Sequence, residues 1–279
     1  MHRFQTWLRL LAAFGMVGFS VVSTRSGCGG NRSIAALPQA KLAWVERHEE
    51  KVAEAKRRAG QVELLFVGDS ITHNYERTEK PYRNFRPIWD EFFAPRAAMN
   101  LGFDGDRTYN VLWRLRRGEV DGLAPKNIVV LIGTNNLSPG WMEPQAETAD
   151  QVSAGILAVV AELHARMPGA RVLVLSMLPT SNSADRTAKT DAANAEVQTA
   201  LAKLSYARYL DVSGIFLDGK RVREELYYDS MVWPGAAALH PTVAGQRMMA
   251  QAVVRALYGE SGHGEDFGNL GTLPELFTR

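Results

Sequence analysis

The chain of 279 residues is 46% hydrophobic and 22% charged. That is enough for one sizeable core, and it shows none of the biases of disordered, collagenous or disulfide-stapled chains. Formal net charge is +2, but Arg3, Arg9 and Arg25 fall in the first 27 residues, which hold no acid, and the remaining 29 basic and 30 acidic side chains leave −1. So neutral a body lacks the basic stripe of a nucleic-acid binder.

The N-terminus reads as a targeting segment over residues 1–27. MHRFQTWLR is a basic start, and residues 10–24 form an uncharged run suited to a signal-peptide core but short for a bilayer span of about 20 residues. Export to the periplasm, the cell envelope or the medium is the expectation. The single cysteine, Cys28 in SGCGG, is a candidate lipid anchor, although Arg25 stands where lipoprotein signals usually carry leucine. A lone cysteine forms no internal disulfide. Residues 28–60 read as a tether followed by a charged helix over 42–58 packed on the main body. The body itself is placed at 61–258 and a glycine-rich tail at 259–279. Oligomeric state is not legible.

From residue 62 onward apolar, β-branched runs alternate with helix-like segments. The runs are 62–67, 97–101, 128–132, 172–175 and 207–212, and the helical segments are 109–117, 148–167, 188–205 and 242–258. In 148–167, Val152, Ile156, Val159, Val160 and Leu163 recur at three- and four-residue steps, one apolar stripe. This alternation predicts an α/β fold of three layers, α/β/α, with a parallel sheet covered on both faces. The flavodoxin-like strand order 2-1-3-4-5 is expected, with the functional site outside the carboxyl ends of the strands where the order reverses.

Polar signals stand just past the first three strands: Gly68-Asp69-Ser70, then NLGFDGD over 100–106, then GTNN over 133–136. In a 2-1-3 order these loops converge. A serine held at a strand end is a candidate nucleophile, but its hydroxyl needs a base. Six histidines are present, and His240 in LHPTVAGQ is the candidate base, since it precedes the last helix and can project from a loop. His2 falls in the signal, His48 and His164 on predicted helix surfaces, His263 in the tail, and His73 sits too close to Ser70 to do more than line the pocket. Donors for an oxyanion are the Ser70 N–H, the Gly105 N–H, which has no side chain in the way, and the Asn135 amide.

These four blocks, Ser70 in GDS, Gly105 in GFDGD, Asn135 in GTNN and His240 in LHP, resemble in order those of the SGNH (GDSL-type) hydrolases. The stretch NLGFDGDRTYNVLWRLRRGEV is similar to the branch that contains the platelet-activating-factor acetylhydrolase catalytic subunits and bacterial acetyl esterases. The resemblance spans roughly 62–258. It implies a flavodoxin-like three-layer fold, metal-free hydrolysis of ester substrates and an acyl-enzyme on the serine. The chain departs from the family at one position: the aspartate expected three residues before the histidine is Ala237. Three readings stay open: a backbone carbonyl near Ala237 orienting His240, a displaced acid with Asp229 in LYYDSMVW as the nearest upstream candidate, or an impaired enzyme.

Other candidates are weighed beside these. Asp69 and Asp106 are candidate substrate contacts that also read as structural hydrogen-bond partners. Asn100 reads as a turn anchor and Asn136 as support for Asn135. Trp141 and Trp233, in glycine- and proline-flanked loops, are candidate walls for an acyl group or platforms for a sugar. No cluster has metal-ligand spacing, and neither a P-loop nor a dinucleotide fingerprint appears, so no cofactor is expected. The expected function is hydrolysis of a small acyl ester, an acetyl group on a carbohydrate or a lipid-like alcohol. Acyl transfer through the same intermediate, and a catalytically dead carbohydrate-binding protein at the envelope, are the alternatives.

Overall fold

A computed structural model describes residues 34–139 and 146–259. Five parallel strands form the central sheet: β1 (Leu64–Gly68), β2 (Ala98–Gly102), β3 (Asn127–Leu131), β4 (Arg171–Leu175) and β5 (Ala207–Leu210). Their spatial order is 2-1-3-4-5, with Leu64 opposite both Ala98 and Asn127. The order reverses at β1, so β1 lies between β2 and β3 with its carboxyl end facing a crevice.

Both faces of these strands are apolar, which is why the sequence reads as continuous runs rather than as alternation. Leu65, Val67, Met99, Leu101, Ile128 and Val130 point to one face. There they meet α4 (Thr108–Leu115), α5 (Ala149–Arg166) and α6 (Ala184–Leu201). Leu64, Phe66, Val129, Leu131, Leu173 and Leu175 point to the other, against α3 (Arg86–Phe92) and α8 (Val243–Tyr258). Each fully buried large apolar side chain contributes about 1.5–3 kcal/mol of transfer free energy. The three-layer expectation is therefore met, and strand bounds fall within one or two residues of those read from the sequence.

Helix starts follow their caps. Thr148 and Gln151 form a reciprocal capping box at α5. At α6 the Ser183 hydroxyl accepts the Arg186 N–H at 3.2 Å, so the helix begins four residues ahead of the apolar pattern that predicted 188.

Residues 34–36 pack against α4 and α5. Ala35 is fully buried, and its carbonyl accepts the Thr108 hydroxyl at 2.7 Å. Helix α1 (Val45–Arg57) follows. His48, expected on its surface, is instead buried: its ring lies 5.1 Å from that of Trp113 and its Nδ1 3.7 Å from the Glu119 carboxylate. The buried acid beneath α1 draws the imidazole inward, a long-range partner that helical spacing does not reveal.

Candidate active site

β1 ends at Gly68, and the chain turns at once into α2 (Ser70–His73), a single helical turn. Asp69 caps it, its Oδ1 accepting the Ile71 N–H at 3.0 Å. Ser70 is therefore the first residue of a turn anchored to the central strand, almost buried at 9% exposure. A Cβ at Gly102 would collide with the backbone nitrogen of His73, so glycine is needed there for β2 to pass beneath α2.

His240 reaches Ser70 from the far end of the chain. Its Nε2 lies 2.9 Å from Ser70 Oγ. On the other side, Nδ1 lies 2.6 Å from Asp229 Oδ1. Asp229 is the first residue of the short helix α7 (Asp229–Val232), eleven positions before His240. An antiparallel pairing closes that gap: Tyr228 N–H donates to the His240 carbonyl at 2.9 Å, Thr242 N–H donates to the Leu226 carbonyl at 2.7 Å, and Tyr227 bridges Pro241. The second carboxylate oxygen accepts the backbone N–H groups of Leu239 and His240 at 2.8 and 2.6 Å. Asp229 is 3% exposed, and Tyr228 stacks on the imidazole, centroids 5.5 Å apart. Nδ1–H donated to the carboxylate leaves the Nε2 lone pair facing the serine hydroxyl.

The Ala237 region is engaged elsewhere. Ala238 N–H donates to Ser181 Oγ at 3.1 Å, and its carbonyl accepts the Thr180 hydroxyl at 2.6 Å. The imidazole thus meets a carboxylate, not a carbonyl.

The turn after β2 lies beside Ser70 because Phe103 N–H donates to the Gly68 carbonyl at 3.1 Å. Gly105 sits at φ +69°, the left-handed region where glycine is favoured. Asn135 Nδ2 donates to the Asp106 carbonyl at 2.9 Å, tying the loops after β2 and β3 together. An amide carries two N–H donors, so this bond leaves one for an oxyanion. The Asn136 side chain accepts the Thr108 N–H at 3.1 Å and donates to the Glu147 carboxylate at 3.0 Å. Arg186, which the sequence did not single out, donates to the Thr134 carbonyl at 2.8 Å and so holds the residue before Asn135.

Asp69 and Asp106 are both buried. Asp106 accepts from Arg114 Nε at 2.9 Å, and Arg114 also pairs with buried Glu119. Burial pushes Asp106 up to about 6, although Arg114 and Lys41 oppose the shift. Burial likewise pushes Asp69 up to about 7, against the Ile71 N–H and His240. The native state therefore holds a proton on Asp69 that the unfolded chain releases near pH 4. The associated stability is fully present below about pH 4 and is lost as pH rises through about 7. Asp69→Asn keeps an acceptor for Ile71 and does not titrate. Melting curves should show the variant gaining on the parent between pH 4 and 8; a pH-independent difference would contradict the assignment.

Trp233 is 47% exposed and its ring lies 6.2 Å from that of Tyr228, itself stacked on His240. Trp141, Cys28 and the segments 1–27 and 260–279 lie outside the described residues.

Comparison with known proteins places the chain in a family. The model of the GDSL-like lipase/acylhydrolase family matches residues 66–248. Platelet-activating factor acetylhydrolase IB subunit alpha2 of Homo sapiens is 34% identical over 195 residues, covering 67% of this chain and 77% of that protein. The human alpha1 subunit is 36% identical over 187 residues, 66% of this chain and 73% of that protein. Among solved structures, an acetylxylan esterase from Geobacillus stearothermophilus shares the fold with a TM-score of 0.52 at 18% identity, over 70% of this chain and 93% of that one. The chain belongs to the GDSL-like lipase/acylhydrolase family and is a serine ester hydrolase of that type.

Proposed function

We propose that the protein hydrolyses small acyl esters, acetyl esters foremost, of a carbohydrate or lipid-like alcohol through an acyl-enzyme on Ser70. The observation that carries this reading is the unbroken run from Ser70 Oγ to His240 to Asp229, at 2.9 and 2.6 Å. Ser70 Oγ attacks the ester carbonyl carbon while His240 Nε2 takes its proton. The tetrahedral oxyanion accepts from the N–H groups of Ser70 and Gly105 and from the Asn135 amide. His240 then gives its proton to the departing alcohol, and the acyl group stays on Ser70. A water molecule, deprotonated by His240, attacks that ester, releases the acid and restores the serine.

Asp229 orients the imidazole and stabilises its cationic form without itself taking the proton. The reading of an impaired enzyme rested on Ala237; the Asp229 contact supports a working Ser70–His240–Asp229 triad in its place. Preference for acetyl is supported by the acetylhydrolase names of relatives at 34–36% identity. A sugar-bearing alcohol is supported by exposed Trp233 beside the Tyr228–His240 stack, an aromatic platform of the kind sugars use. Chromogenic esters from acetate to octanoate test the proposal. We expect kcat/KM to be highest for acetate; a maximum at octanoate would contradict the acetyl assignment, and no turnover of any ester would contradict the catalytic reading.

The protein is also read as exported, with residues 1–27 as its signal and Cys28 as a candidate anchor. The mass of the mature N-terminus recovered from the producing cell tests this; a chain still carrying residues 1–27 would contradict cleavage.

A further inference from the structure

The Asp104 carbonyl accepts two hydrogen bonds from outside the turn that holds it: Lys41 Nζ at 2.5 Å and Trp44 Nε1 at 2.7 Å. Arg47 donates to the Gly102 carbonyl through Nε and Nη2, at 3.1 and 2.9 Å. All three donors come from the entry to α1, ahead of the span 66–248 that the family model matches. The Lys41 ammonium is packed against the turn itself, since a Cβ built on Gly105 would meet it at 2.7 Å.

The Asp104 carbonyl is one end of the peptide unit whose other end is the Gly105 N–H. That peptide is trans. In a trans unit the C=O and N–H lie in one plane and point in opposite directions, so whatever fixes the carbonyl also fixes the N–H. Glycine at φ +69° would otherwise leave this plane free to turn. A cation on the carbonyl oxygen also draws electron density across the amide and makes its N–H a stronger donor.

We propose that Lys41 and Trp44 are positioning residues for the oxyanion site: they grip the Asp104 carbonyl, hold the Gly105 N–H toward the reacting centre, and polarise it through the Lys41 charge. The inference rests on the Ser70 reading above. The Asp104 side chain braces the same unit from the other side, paired with His73 at 2.9 Å and with Arg77. Asp106 Oδ2 is held by Arg114, and its Oδ1 forms an ion pair with Lys41 Nζ at 3.9 Å, longer than the 2.5 Å bond from the ammonium to the Asp104 carbonyl.

The experiment is one kinetic series on the full chain with a chromogenic acetate, comparing the parent with Ser70→Ala, Lys41→Met, Lys41→Arg and Trp44→Phe. Each protein is also titrated with an alkylboronic acid, which forms a tetrahedral anionic adduct on the serine. Loss of a whole oxyanion donor costs about 10²–10³ in kcat, so Lys41→Met, which misaligns and depolarises one donor, should cost about tenfold or more while KM stays within about twofold. Boronate affinity should fall in parallel, and Lys41→Arg should restore most of both. Trp44→Phe keeps the ring packing, removes one N–H and should show a smaller loss of the same kind, which covers the case of Lys41→Met failing to fold. Hydrolysis persisting in Ser70→Ala would overturn the catalytic reading and this inference together. A dead Ser70→Ala alongside parental kcat and boronate affinity in Lys41→Met or Trp44→Phe would overturn this inference alone. Equal losses in the methionine and arginine variants, with lowered melting temperature, would reduce Lys41 to a structural contact and overturn it too.

Discussion

Ser70→Ala, His240→Ala and the double variant are expected to fall to one shared floor, about 10⁵–10⁶ below the parent in kcat for a chromogenic acetate. The expectation follows from geometry. The Ser70 hydroxyl and the His240 imidazole lie 2.9 Å apart, and in the proposed mechanism they act on a single proton, so removing either removes the same step. What survives is binding and whatever the oxyanion donors give to attack by water. Initial rates on the three purified variants check this. A double variant far below both single variants would mean that the two side chains act independently, which the proposed mechanism forbids.

Asp229→Asn is expected to lower kcat by about 10⁴, as the equivalent change does in serine proteases. The carboxylate receives three hydrogen bonds: the imidazole N–H and the backbone N–H groups of Leu239 and His240. An amide can turn its oxygen to only some of these. If its NH₂ meets Nδ1, the imidazole must present the wrong tautomer to Ser70. The backbone contacts also mean that Asp229 shapes the His240 loop, so Asp229→Ala should lose thermal stability as well as rate. Buried polar groups left without partners cost about 1–3 kcal/mol each. Kinetics and melting curves on both variants separate the two roles. Parental kcat in Asp229→Asn would return the orienting role to some other group.

Much of this architecture is legible in the sequence because the inner strands are apolar on both faces and each strand ends in glycine or is followed within two residues by glycine or a polar residue. Gly68-Asp69-Ser70 shows the point clearly: an abrupt change from buried strand to capped turn is a local signal, and the fold keeps it local. His240 is legible by elimination among six histidines. Asp229 is legible only as one option, because the pairing of 226–228 with 240–242 that brings it to the imidazole is set by tertiary packing and not by spacing. The familiar three-residue spacing fails here since Asp229 lies on α7 and the chain loops out through Met231 and Trp233, both close to half exposed, before returning.

Lys41, Trp44 and Arg186 leave no such trace. They act on backbone carbonyls 52–63 residues away in the chain, and a carbonyl has no identity in the sequence. His48 misleads for a related reason. Helical spacing gives it a solvated face, but Glu119 and Trp113 lie beneath that face.

The central claim is that Ser70 is a nucleophile activated by His240, and covalent trapping tests it most directly. The full chain treated with a fluorophosphonate at neutral pH should gain one phosphonyl group, mapped by peptide mass spectrometry to Ser70, with labelling slowed at least about a hundredfold in His240→Ala. An unlabelled protein, an adduct on another residue, or equal labelling with and without His240 would contradict the account.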